Sequence, residues 1–123
     1  MKRSISFLAF RLSSYTDDSI TVGQFYSDEL GKVTLLISEE RLKVLKKIVA
    51  RPLYLTFTRF IRNCKKHNLT YSDLDYQSRY QNGIIKITYP APFAADLESA
   101  EITFMKYINE NYKDHYQNKL SII

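Results

Sequence analysis

A chain of 123 residues with 45% hydrophobic and 25% charged side chains has the composition of one folded domain, residues 1–123, and not of a disordered segment. Its formal charge of +5 turns on whether the excess is spread or concentrated, because a concentrated patch implies an acidic partner. The one cysteine, Cys64, excludes an internal disulfide and suits a reducing compartment.

No run reaches the ~18 apolar residues that a membrane span needs. Met1-Lys2-Arg3 before Ile5 to Leu12 has the outline of a signal peptide. Ser6 and Arg11 interrupt the apolar stretch, however, and no small-residue cleavage site follows. The expectation is a cytoplasmic protein that begins with a strand. No internal repeat or low-complexity segment is visible.

Residues 4–12 are apolar at both parities, as in a strand covered on both faces. Asp17-Asp18 belongs to a polar loop. Residues 20–26 resume strand character, with Gly23 marking a bulge or a close backbone approach. Residues 27–31 make a hairpin connection closed by Gly31, and 32–37 form the third strand.

Ser38 followed by Glu39-Glu40 starts a helix over residues 39–50. Leu42, Leu45, Ile48 and Val49 mark one side, with Lys43, Lys46 and Lys47 opposite. The apolar stripe of the next segment (Leu53, Phe57, Phe60, Ile61, Cys64) is offset by roughly a quarter turn, so the helix breaks or kinks near Arg51-Pro52.

Thr70-Tyr-Ser-Asp73 reads as a variant capping box opening a short helix to about Tyr80, stopped at Asn82-Gly83. Residues 84–89 form a fourth strand, ended by Pro90-Ala-Pro92. Asp96 caps a last helix from Leu97 to about Gln117. Its expected apolar face carries Leu97, Ala100, Phe104, Met105, Tyr107, Ile108 and Tyr112.

This order predicts an α+β fold: a four-stranded, mainly antiparallel sheet packed with three to four helices. Placing the fourth strand beside the first gives the order 3-2-1-4 and makes the doubly apolar first strand interior. Four helices can still leave one sheet face partly bare, which keeps a homodimer open.

Three blocks carry a likeness to a known family. They are Phe7-Leu-Ala-Phe-Arg11 with Ile20-Thr-Val-Gly23; Glu29-Leu-Gly-Lys-Val33 through Ser38-Glu-Glu-Arg-Leu42; and Asn82 to Pro92 through Asp96-Leu-Glu-Ser-Ala100. In these the chain resembles a small bacterial family catalogued as domain of unknown function 3037. The likeness runs nearly the whole chain, though each block is short and none is a catalytic signature. Family members usually carry glutamate and asparagine just before the glycine, where this chain has Asp18-Ser19 and Thr21. The resemblance implies a companion or antitoxin-like role beside a HipA-like kinase, as in toxin–antitoxin pairs.

The charge is concentrated. Arg41, Lys43, Lys46, Lys47, Arg51, Arg59, Arg62, Lys65 and Lys66 fall in a segment without a single acid. Apart from Arg41, these residues form the candidate binding surface for an acidic protein or for nucleic acid. The same residues also fit the solvated faces of two amphipathic helices. Tyr54, Tyr71, Tyr76 and Tyr80 could stack bases or sit half-buried with the hydroxyl in water. No recognition-helix, zinc-finger or RNA-binding strand motif accompanies them.

Catalysis finds little support. His67 and His115 stand in no metal-ligand spacing. Glu101 and His115 lie about 21 Å apart along a helix and form no dyad. Cys64 falls on an apolar stripe as a buried thiol. The expectations are therefore no cofactor and no enzymatic activity.

Overall fold

The first strand is the piece on which the sheet is assembled. In the computed structural model, which describes residues 2–13, 18–80 and 83–108, β1 (Ser4–Arg11) pairs antiparallel with β2 (Ser19–Ser27) on one side. Its other side pairs with β4 (Ile85–Ile87) and with a short β5 (Ala91–Pro92). The third strand, β3 (Val33–Ile37), adds to β2, so the order is β3-β2-β1-β4, with β5 also on β1. The α+β class and the 3-2-1-4 order are both present.

The doubly apolar pattern of β1 has a direct structural counterpart. Leu8, Phe10, Val22, Phe25 and Ile87 form one buried cluster with Leu42 and Leu45 of α1 (Glu39–Ile48), Phe57 and Ile61 of α2 (Arg51–Lys66), and Leu74 of α3 (Tyr71–Tyr80). Phe10 and Phe57 meet edge to face with centroids 5.3 Å apart. Neighbouring residues on a strand point to opposite faces, so Gln24 and Tyr26 lie on the other side from Phe25. There they meet α4 (Leu97–Tyr107) and its lead-in. Gln24 Nε2 donates to the Ala100 carbonyl at 2.9 Å, and the Tyr26 hydroxyl donates to the Ala95 carbonyl at 3.1 Å. The sheet thus carries α1–α3 on one face and α4 on the other.

Local signals act as expected at several ends. Ser38 Oγ accepts from Arg41 N, and Asp96 accepts from Ser99 N, capping α1 and α4. Thr70 and Asp73 form the reciprocal box at the start of α3. Gly31 takes φ 84° where the chain turns between β2 and β3. Val49 and Ala50 are both extended, so the helix does break before Pro52, which sits in the first turn of α2.

Some expectations need correction. The fourth strand is shorter than residues 84–89, because at Thr88 the side-chain Oγ1, not the carbonyl, accepts from Phe7 N. Pro90 does not end the pairing either, since β5 resumes on Ser4 and Ile5. Ile48, expected on the apolar side of α1, is 57% exposed. Leu42, Leu45 and Val49 fall within about 60° on the wheel, and Ile48 lies about 100° away from Val49. Leu53 and Tyr107 are likewise exposed; Leu53 stands in the first turn of α2, and Tyr107 turns outward beside Lys106. The expected continuation of the last helix to Gln117, with Tyr112 and His115, and the Asn82 helix stop lie outside the described residues.

Gly23 is both things its position suggested. Leu8 pairs with Gly23 and Ala9 with Thr21, so Val22 is the extra residue of a bulge. A Cβ on Gly23 would stand 2.7 Å from Ile37 Cδ1 and 2.9 Å from the Leu36 carbonyl oxygen. Gly23→Val is therefore expected to cost about 1–3 kcal/mol through forced separation of β2 and β3. Urea unfolding measures this, and an unchanged midpoint would show that β3 moves aside freely.

Candidate basic face on the two central helices

Lys43, Lys46, Lys47, Arg51, Arg59, Arg62, Lys65 and Lys66 are all exposed. Arg41 is different: its guanidinium donates to the Thr21 carbonyl at 2.8 Å and the Tyr107 carbonyl at 3.3 Å, tying the start of α1 to β2 and to the end of α4. Among the described residues, the ion pair these eight make is Lys43 with Glu40, at 3.9 Å. An exposed pair at that distance contributes little.

The wheel of α2 orders the cations. Arg51, Arg59, Arg62 and Lys66 fall within about 80° of one another and opposite Phe57, Ile61 and Cys64. Leu55, 43% exposed, sits in the same stripe. From Arg51 to Lys66 the stripe runs about 22 Å at 1.5 Å per residue. Lys65 lies at its margin. On α1, Lys43 and Lys47 share the outward side with Val44, which with Ile48 leaves two exposed aliphatic side chains one turn apart.

The two helices meet at a surface hollow of about 310 Å³, lined by Lys46, Val49, Arg51, Tyr54 and Leu55. The structure thus brings Lys46 and Arg51 together across the helix break. It does not gather all eight cations at one point. Sequence reasoning missed the apolar members Leu55, Val44 and Ile48: the wheel sets Leu55 and Val44 among the cations, while Ile48 is expected on the apolar side of α1.

The tyrosines divide. Tyr54 and Tyr71 are half-buried, and burial pushes the Tyr71 phenol upward, with Tyr89 and Asp75 adding to the rise. Tyr76 and Tyr80 are exposed and lie ring to ring at 4.8 Å on α3, away from the α2 stripe in sequence. Near them Arg79 donates to the Tyr89 hydroxyl at 3.1 Å and to Asp75 at 3.3 Å.

A second cavity, of about 270 Å³, opens where α2 meets α3. Its floor holds Phe25, Phe60, Leu74 and Ile87, and Cys64, His67 and Asp73 also line it. Among the described residues no group of three or more histidine, cysteine, aspartate or glutamate side chains could hold a metal ion. None of the described helices is long and apolar enough to cross a membrane. The chain matches no family model, no curated protein and no solved structure.

Cys64 is a free thiol, and burial pushes it from an ordinary value of 9.0 up to about 11. At pH 8 the folded protein should therefore react with a thiolate-seeking reagent about a hundredfold more slowly than the urea-unfolded chain. Because the folded value is the higher one, its contribution to stability is complete below pH 9 and is lost as pH rises toward 11. Equal labelling rates for folded and unfolded protein would place the thiol in open solvent instead.

Proposed function

We propose that this protein is a non-catalytic binding module of the cytoplasm that docks an acidic protein surface on the basic face of α1 and α2. The observation that carries the reading is the α2 stripe Arg51, Leu55, Arg59, Arg62 and Lys66. It sets guanidinium groups around an exposed aliphatic side chain, opposite the face that holds the helix to the core. Protein interfaces favour this mixture: arginine is enriched in them, and apolar bodies fill the centre. A phosphate-backbone site needs the cations but has no use for exposed Val44, Leu55 and Ile48. The exposed tyrosine pair that could stack bases lies on a different helix.

The family resemblance supplies the first partner to test, a HipA-like kinase, with this chain in a regulatory or antitoxin-like role. The lone thiol Cys64 supports the compartment. Nucleic acid is the alternative ligand for the same surface.

Binding is tested with the purified HipA-like kinase on a biosensor, and with a duplex DNA, each at two salt concentrations. The kinase is expected to bind. The double variant Arg59→Glu/Arg62→Glu should weaken the complex about tenfold or more without altering the fold, because both side chains are exposed. Arg51→Gln should weaken binding yet leave stability equal or higher, since a cation in the first turn of α2 opposes the helix dipole. DNA retention whose affinity falls steeply with salt, with slope near −0.9 per phosphate contact, would reassign the face to nucleic acid. Failure to bind either ligand would leave these cations as solvated charges and sink the proposal.

A further inference from the structure

The outer edge of β3 is chemically unfinished. The pairing of Ser38 N with the Val22 carbonyl, and of Asp28 N with the Lys32 carbonyl, fixes the phase of the β2–β3 ladder. In that phase Thr34 and Leu36 direct their backbone groups toward Tyr26 and Gln24 of β2. Val33, Leu35 and Ile37 then point theirs away from the sheet. The start of this edge is occupied, because Lys32 bridges to Thr70 and Tyr71 N donates to the Gly31 carbonyl. Beyond it, among the described residues, no partner meets the outward N–H and C=O groups of Leu35 and Ile37. Orphaned strand groups are usually shielded by lysine, proline, a bulge or a covering element. The strand Val-Thr-Leu-Leu-Ile contains no charge and no proline, and its ladder with β2 is regular.

We propose that β3 pairs antiparallel with β3 of a second copy of this chain, in a register centred on Leu36. Three observations select that occupant and register. First, a centre at Leu36 sets Leu35 against the second copy's Ile37, and Ile37 against its Leu35, so the outward groups of both residues are satisfied on both chains. A centre at Leu35 would instead require Val33, whose outer side faces the Thr70 bridge.

Second, the charges along this stretch are complementary to themselves. Lys32 precedes the strand, and Glu39 and Glu40 follow it in the first turn of α1. Antiparallel pairing about Leu36 brings each Lys32 to the level of the second copy's Glu39 and Glu40, twice over, and sets no like charges opposite each other within the strands.

Third, Leu36 lies beside a surface cleft of about 260 Å³, lined by Ile37, Glu101, Phe104 and Met105. At the two-fold axis the two Leu36 residues form a non-hydrogen-bonded pair, with Cα atoms about 4.5 Å apart, where side chains pack most closely. That pair covers apolar surface of the cleft which a single copy leaves open. The proposal concerns β3 and the start of α1, and it does not depend on what the basic face of α2 binds.

The test is sedimentation velocity of the full chain from about 1 µM to about 100 µM, with amide hydrogen exchange read at Leu35 and Ile37. A concentration-dependent dimer is expected, with both amides protected only as it forms. Lys32→Glu places like charges at both ends of the pairing and should weaken the dimer on the order of tenfold. The charge swap Lys32→Glu/Glu39→Lys/Glu40→Lys should restore it. Leu36→Lys sets two ammonium groups together at the axis and should abolish the dimer, with circular dichroism confirming the fold. If that variant does not fold, the charge-swap series decides, since its three side chains are exposed. Sedimentation as a monomer at every concentration overturns the proposal. So does a dimer indifferent to the substitutions, or protection of the two amides only on adding a foreign strand such as a Thr-Val-Thr-Val-Thr peptide.

Discussion

Everything in this molecule hangs on β1 being buried from both sides and along both edges. Leu8 and Phe10 press into the cluster shared with α1, α2 and α3, while Ala9, between them, is 3% exposed on the opposite face. Both hydrogen-bonding edges of β1 are taken, by β2 along its length and by β4 and β5 in turn. A central strand of this kind needs cover on both faces, because its apolar side chains leave it no solvent-tolerant side. The helices therefore divide between the faces. The three consecutive helices α1–α3 fill one face, and α4, arriving after the last strands, reaches the other through Gln24 and the Ala100 carbonyl.

The interior place of β1 was legible in the sequence, but not which helices cover which face, and one face stood open to being left partly bare. Apolar residues at both parities of 4–12 require cover on both sides and an interior position, which places the later strand beside the first, and capping chemistry at Ser38, Thr70 and Asp96 locates three helix starts. The mistakes share one physical source. Ile48, Leu53 and Tyr107 are apolar residues near helix ends, where the packing partner has run out. Hydrophobicity marks which side chains can be buried, whereas the ends of elements decide which ones are. Thr88 and β5 failed differently, because a hydroxyl took over a ladder bond and the chain returned to β1 just after Pro90. Neither event carries a periodic signature.

The basic surface was legible as a count but not as a shape. A segment with nine cations and no acid stands out at once, yet only three-dimensional contacts show what Arg41, set apart from the candidate surface, does instead, since the Thr21 and Tyr107 carbonyls are far away in sequence. The helix break at Val49 and Ala50 also alters the meaning of the charges. It separates the α1 lysines from the α2 arginines and folds Lys46 against Arg51 around Tyr54 and Leu55.

The helices themselves account for part of this charge. Lys46 and Lys47 close α1, and Lys65 and Lys66 close α2, where a cation complements the dipole and contributes about 0.3–1 kcal/mol. Lys43 has Glu40 one turn before it. Three residues are left without such a local account. Arg59 and Arg62 stand mid-helix, and among the described residues neither is joined to an acid; Arg51 opens α2, whose first turn contains no acidic residue at all, so its charge opposes the dipole. All three are arginine, the side chain whose planar fork engages a carboxylate or phosphate through two parallel hydrogen bonds. The cations that helix stability does not explain therefore all lie in the α2 stripe, on the same side of the helix as Leu55. On the proposed reading, their placement follows from what this face binds more than from what holds the helix together.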